Sequence, residues 1–195
     1  MPDLMPATGM LARVVTDIRD EQLSAPTPCR GVTVADLLDH VGGLCLAFTA
    51  AAAKDLDAAG QAPSADGSRL ATDWRMRMPD RLAQLAAAWS DEKAWSGMTR
   101  AGGLDMPGEV AGRVATNEVV VHGWDIAAAT GQDYSCEADL LEVAYTFVQS
   151  AVAQNPDGSP GLFGPPVEVP DNAPLLYRLI GLTGRDPAWR ADSEN

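Results

Sequence analysis

Two histidines are all this 195-residue chain possesses, and both stand near acids. His122 follows Glu118 by four residues in Thr116-Asn-Glu-Val-Val-Val-His-Gly-Trp-Asp125. On a helix that spacing stacks the two side chains about 5–6 Å apart, close enough for one ion to be gripped by both. A strand would also turn them to one face, but about 13 Å apart, too far to share an ion. His40 lies in Val34-Ala-Asp-Leu-Leu-Asp-His-Val-Gly-Gly43, one turn after Asp36 and beside the apolar face of Leu37, Val41 and Leu44. If the two helices face each other, His40 completes a His/Glu/His set. Two imidazoles and one carboxylate with a position left open form the donor set of a catalytic rather than a structural zinc site. Asp125 is a candidate acceptor for an imidazole N–H behind such donors, or, as the lesser alternative, a further ligand, and Asp36 and Trp124 are further candidates for that surrounding layer. Gly42, Gly43 and Gly123, beside the histidines, would leave room over an ion. The same residues admit a plainer reading. A histidine on an apolar face can be a hydrogen-bonded core residue, and Glu-x-x-x-His is also an ordinary helix-surface pair. Spacing alone leaves both readings open, although polar residues inside amphipathic helices are costly unless they are used.

The elements that must carry these residues read as helices. Leu4, Leu11, Val14, Val15, Ile18 and Leu23 recur at helical spacing over residues 4–24, and Ala25-Pro-Thr-Pro28 ends the run. Thr33 with Asp36 three positions on makes a capping-box variant that opens a second helix reaching about Leu56. Residues 59–68 read as a loop. A third helix spans about Ser68 to Ser90, kinked or split by Pro79. The glycine-rich connection 96–108 could hold a short hairpin, and a fourth helix runs from about Glu109 to Thr130, closed by Gly131. A fifth spans Glu137 to Gln154. The proline- and glycine-rich stretch 155–171 predicts an extended arm rather than a packed element. A short helix then runs from Ala173 to Leu182, before an acidic tail that frays from Ala191. No alternating βα units occur, so the expectation is an all-α protein. It is an antiparallel four-helix bundle with additional short helices and an extended C-terminal arm, in one domain over 1–195 with its core at about 4–154 and the arm and short helix at 155–190.

Composition narrows the partners. Fourteen Lys and Arg stand against 27 Asp and Glu, a formal net charge of −13, which argues against the neutralisation of a phosphate backbone and so against nucleic acid. The same excess disfavours anionic membrane surfaces. The longest apolar run, Leu44 to Ala53, is about half of a membrane span. The N-terminus lacks a basic region followed by an apolar one, so no secretory leader is expected. Cys29, Cys45 and Cys136 form no CxxC pair and fit a reducing cytoplasm. Cys29 is assigned a packing role, Cys45 the core, and the tryptophans at 74, 89, 95 and 189 packing as well, with Trp124, between His122 and Asp125, the exception. Nucleotide, flavin and serine-hydrolase motifs are absent.

Taken together, Ala25-Pro-Thr-Pro-Cys-Arg-Gly-Val-Thr-Val-Ala-Asp-Leu-Leu-Asp-His40 and Glu118-Val-Val-Val-His-Gly-Trp-Asp-Ile-Ala-Ala-Ala-Thr-Gly-Gln132 resemble the DinB-like metal-binding superfamily. The closer resemblance is to its actinobacterial branch, which includes the N-terminal domain of mycothiol-dependent maleylpyruvate isomerase. It continues through Gly161-Leu-Phe-Gly-Pro-Pro-Val167 and Leu179-Ile-Gly-Leu-Thr-Gly-Arg-Asp-Pro187. The resemblance implies a four-helix bundle with a divalent metal, commonly zinc, with nickel or another transition metal as alternatives, held by His40, Glu118 and His122. It also implies mycothiol as a co-substrate, because a cation beside a thiol stabilises the thiolate. The isomerase has an additional C-terminal domain contributing to its active site, and this sequence stops before one could form, so the isomerisation itself is not carried over. Arg30-Gly-Val-Thr33 also replaces a segment that often holds an aromatic residue in the family. Three readings result: a metal-dependent transferase or isomerase-like enzyme acting on a small thiol and an electrophile; a non-catalytic metal- or small-molecule-binding bundle, which could pair as a homodimer; and a structural bundle with buried histidines.

Overall fold

The computed structural model describes residues 1–59, 63, 65–159 and 162–191. Seven helices and one two-stranded hairpin follow in the order α1 (Met5–Thr16), α2 (Val34–Ala52), α3 (Trp74–Trp89), α4 (Glu92–Trp95), β1 (Met98–Ala101), β2 (Leu104–Pro107), α5 (Gly108–Thr130), α6 (Ala138–Gln154) and α7 (Leu175–Leu182) among the described residues. Helices α1, α3, α2 and α5 close a ring in which each packs on the next, and α6 covers α5 from outside with α7 behind it. The apolar face of each of the four supplies the core, with Leu11, Leu38, Leu82 and Ile126 among the fully buried side chains. The expected all-α bundle is therefore present.

Its connectivity is not a plain up-and-down alternation. The Trp89 indole N–H at the end of α3 donates to the Phe48 carbonyl near the end of α2, at 3.1 Å, so these neighbours run the same way. Side-chain amides of Gln22 and Gln132 tie the ends of α1 and α5 together, bonding Thr130 O and Val14 O at 3.0 Å each, so this pair is also parallel. The α1–α3 and α2–α5 pairs run oppositely. The cause is the long connection over 53–73, which returns the chain to the start of α2 before α3 begins. α2 is long and apolar enough to span a membrane by composition. Its apolarity has a local cause, since α3 and α5 flank it.

Element ends differ from the periodicity in instructive ways. α1 stops at Thr16 rather than near residue 24, because the Ile18 carbonyl is taken by the Arg75 guanidinium at 2.9 Å and the chain turns into a 3-10 segment, Asp20–Gln22. α2 stops at Ala52 rather than Leu56, where Lys54 takes a left-handed conformation at φ 61° and its Nζ donates to Ala94 O. α3 begins at Trp74 and continues as helix through Pro79. The hairpin expected as an option over 96–108 forms, its two central glycines at φ 57° and 78° suiting a tight turn. The arm after α6 is packed, contrary to expectation: Phe163 is buried, Val167 N bonds Gly181 O at 2.9 Å, and Gly181 lacks a side chain where Val169 presses in. The loop expected over 59–68 lies partly, and the tail from Ala191 mostly, outside the described residues.

The capping box predicted at Thr33 is present. Asp36 N donates to Thr33 Oγ1 at 3.3 Å, and Asp36 Oδ2 accepts from Thr33 N at 2.8 Å. The other Asp36 oxygen accepts from Gly67 N at 2.7 Å. The Thr33 hydroxyl together with these backbone donors holds the Asp36 carboxyl below the usual carboxylate range. A carboxyl so lowered stabilises the fold above its unfolded pKa of about 3.9, and that support is lost as pH falls through the folded value. Thr33→Ala should cost about 1 kcal/mol in urea unfolding. The stability difference between the parent and Asp36→Asn should be full at pH 7 and narrow below about pH 4; a pH-independent difference would contradict this role.

Candidate metal centre

The opposed run of α2 and α5 brings His40, near the start of one, to His122, near the end of the other, with ring centroids 5.2 Å apart and planes at 88°. Glu118 stands one turn before His122, its Oε2 3.0 Å from Nε2. One donor atom from each of the three residues lies within 4.8 Å of the others. The far nitrogen of each ring is tied back. Nδ1 of His40 is 2.9 Å from the Pro63 carbonyl, and Nδ1 of His122 is 3.0 Å from Asp125 Oδ2. A carbonyl or carboxylate behind an imidazole fixes the tautomer that leaves Nε2 to face an ion. Burial and the charge of His122 lower the pKa of His40, which favours its neutral, donor form. Burial opposes charge on His122 too, but its bonds to Asp125, Cys29 and Glu118 win and raise its pKa well above the ordinary value. Burial would raise Glu118, yet the His122 bond and the charges of His122, His40 and Arg185 hold it low.

Behind His122 lies a second cluster, which the sequence did not reveal. Asp125 is completely buried. Arg185, arriving just after α7, grips it with a two-pronged fork: Nε to Oδ1 at 2.7 Å and Nη2 to Oδ2 at 2.9 Å. The same Nη2 is 3.0 Å from Cys29 Sγ, which is itself 3.2 Å from Asp125 Oδ2. Cys29, His122 and Asp125 also have the composition of a metal-ligand group. Its cation is already supplied by the guanidinium, whereas no arginine or lysine is paired with the His40/Glu118/His122 set, whose one positive charge is the proton on His122 that an ion would replace. Two imidazoles and a carboxylate, oriented from behind and converging to within 4.8 Å, suit a divalent transition ion.

The residues singled out from sequence divide accordingly. His40, Glu118 and His122 converge, and Asp125 lies against the imidazole as its acceptor. Asp36 does not join them: its oxygens are used by the helix cap and Gly67. Trp124 is buried next to the site but offers no donor atom to it. Cys29 is not a plain packing residue, being held in the Asp125–Arg185 cluster by a turn in which Thr27 N bonds Val32 O at 3.1 Å. Cys45 is core as expected, its thiol pushed up to about 12 by burial. Nor do the glycines leave open space over an ion. A side chain at Gly123 would collide with the Tyr134 ring, one at Gly43 with Pro63, and one at Gly42 with Arg81, so these positions admit neighbours instead. Arg185 and the Pro63 carbonyl were missed; for Arg185 the only sequence signal was its place in the Gly184-Arg-Asp-Pro187 stretch that ends the last helix.

Removing Arg185 would strand a fully buried carboxylate. Arg185→Met should therefore cost about 3–5 kcal/mol in urea unfolding, and Arg185→Lys, which keeps the charge but not the fork, should recover only part. A loss below about 1 kcal/mol for the methionine variant would show that Asp125 is compensated by other means.

Residues 4–127 match the family described as the mycothiol maleylpyruvate isomerase N-terminal domain. Uncharacterized proteins from two strains of Mycobacterium tuberculosis are each 29% identical over 187 residues, covering 92% of this chain and 93% of theirs. Among solved structures, a histidine-to-alanine mutant of the mycothiol-dependent maleylpyruvate isomerase superposes with a TM-score of 0.58 at 18% identity, over 77% of this chain and 67% of that one. A second crystal structure of that isomerase gives 0.51 at the same identity and coverage. Both are likenesses of fold. The helical ring, and a family match that spans α1 to most of α5, make this chain a member of the mycothiol maleylpyruvate isomerase N-terminal domain family.

Proposed function

We propose that the chain is a divalent-metal-binding bundle, with zinc the first choice of ion, that takes a low-molecular-weight thiol such as mycothiol as co-substrate in a transferase or isomerase-like reaction with an electrophile. The observation that carries this reading is the convergence of His40, Glu118 and His122 to within 4.8 Å with both Nδ1 atoms tied back. A divalent cation held there would supply the positive charge that stabilises a thiolate, the nucleophilic form of a thiol.

The chain's own residues do the rest. Pro63 and Asp125 orient the rings, and Arg185 keeps Asp125 ionised in its dry setting, so that Asp125 accepts from Nδ1 and Nε2 stays on the ion's side. Glu118 contributes the negative charge that a neutral pair of imidazoles lacks. The extra proton favoured on His122, which lets Nδ1 donate to Asp125 and Nε2 to Glu118, supports the reading as well. Carboxylates that hold a proton at an imidazole can hold a cation there, the proton leaving as the ion arrives. The small-thiol part rests on the family, whose description names mycothiol.

Elemental analysis after loading with zinc and dialysis should find about one ion per chain in the parent and under about 0.1 in His40→Ala and His122→Ala. Asp125→Asn should keep the ion with affinity reduced about 10–100-fold. In cobalt-substituted protein, adding mycothiol or an analogue should produce the absorption change of sulfur ligation. A parent holding under about 0.1 ion per chain would sink the metal; an unchanged cobalt spectrum would sink the thiol.

A further inference from the structure

A cleft of about 230 Å³ opens between α2, α3 and the segment around the 3-10 turn Gly67–Arg69. Three of the chain's 14 cationic side chains, Arg69, Arg77 and Arg81, line it, and Asp39 is the only acid that does among the described residues. In a protein of net charge −13, that is a local reversal of sign. Trp74 and Met78 give the cleft an apolar wall, and both are buried.

Arg81 is the residue that makes this a site rather than a charged surface. It is half-buried, and its guanidinium has no carboxylate partner among the described residues. It lies against α2 where Gly42 has no side chain: a Cβ there would stand 2.9 Å from Arg81 Nη1. Among the described residues Arg77 pairs with Asp73, the residue that precedes its helix, at 2.7 Å in an exposed pair, the kind that contributes little. A half-buried guanidinium without a counter-charge is poorly matched to its surroundings, and an anion entering the cleft would complete it with charge-assisted hydrogen bonds.

We propose that this cleft binds a small anion carrying two or more negative charges, of carboxylate or phosphate type. The guanidinium heads give geometric recognition of planar or tetrahedral oxyanions, and the apolar wall accommodates a short carbon skeleton. Pro63 links the cleft to the candidate metal centre: it lines the former, and its carbonyl oxygen orients His40 in the latter. The proposal stands on the cleft itself and does not require the metal.

Calorimetric titration of the full chain at low salt, with succinate and separately with inorganic phosphate, tests it. At least one probe should bind saturably with a Kd of about 1 mM or tighter. Arg81→Gln should weaken that binding about tenfold or more. Arg113→Gln, whose arginine pairs with Glu109 away from the cleft, should leave it unchanged. Should Arg81→Gln fail to fold, Arg77→Gln carries the same test. Response to succinate alone identifies a carboxylate ligand, to phosphate alone a phosphate, and to both a site that reads charge; each supports the proposal. Binding must also survive chelator treatment. Loss of binding on chelation means that the probe sat on a metal, which overturns the cleft and leaves the proposed function standing. The proposal is equally overturned if neither probe saturates below about 20 mM, or if Arg81→Gln binds as the parent does.

Discussion

A carboxylate with no exposure to water must have a counter-charge, and Asp125 finds its own 60 residues along the chain, in Arg185. Without the guanidinium the acid would protonate or the packing around it would open. With it, Asp125 stays ionised and can accept from His122 Nδ1, which turns Nε2 toward Glu118 and His40. The same guanidinium also reaches Cys29, so the loop ahead of α2 and the segment after α7 are fastened to α5 at one point. Three distant parts of the sequence meet there, and the donors in front of His122 inherit their aim from that meeting.

Periodicity is informative about whatever repeats, and the helices and the i, i+4 pair on α5 repeat. His40, Glu118 and His122 were legible for that reason: each is a polar residue on an otherwise apolar helical face. Arg185 was not, because a pairing between a helix and a segment 60 residues later has no local signature. Asp36 illustrates the opposite failure. Its position before His40 suggested a place near the donors, while its place after Thr33 suggested a cap; the oxygens of one carboxylate went to the cap and to Gly67. The glycines misled in a similar way, since a missing side chain marks a close approach without saying by what. At Gly123 the visitor is Tyr134, and at Gly42 it is Arg81.

The direction of the helices also bears on the site. Because α2 and α3 run the same way, the chain must travel the length of the bundle between them, and a connection of that kind is often a mere tether. Here Pro63 within it supplies the carbonyl that holds His40, and Gly67 supplies the backbone donor that engages Asp36. The return path thus braces α2 at two points along its first turns.

The segment that matches the family ends at residue 127, well before Arg185. That boundary describes shared ancestry, and the charge balance of the centre does not respect it. During synthesis the four bundle helices leave the ribosome first, carrying Asp125 without its partner, and the guanidinium follows 60 residues later. The centre therefore becomes electrically complete only after the helices that carry its donors have been made. A copy cut short after α6 would retain every donor atom and lack the one charge that aims them, so possession of the donors and possession of a finished site are separate properties of this chain.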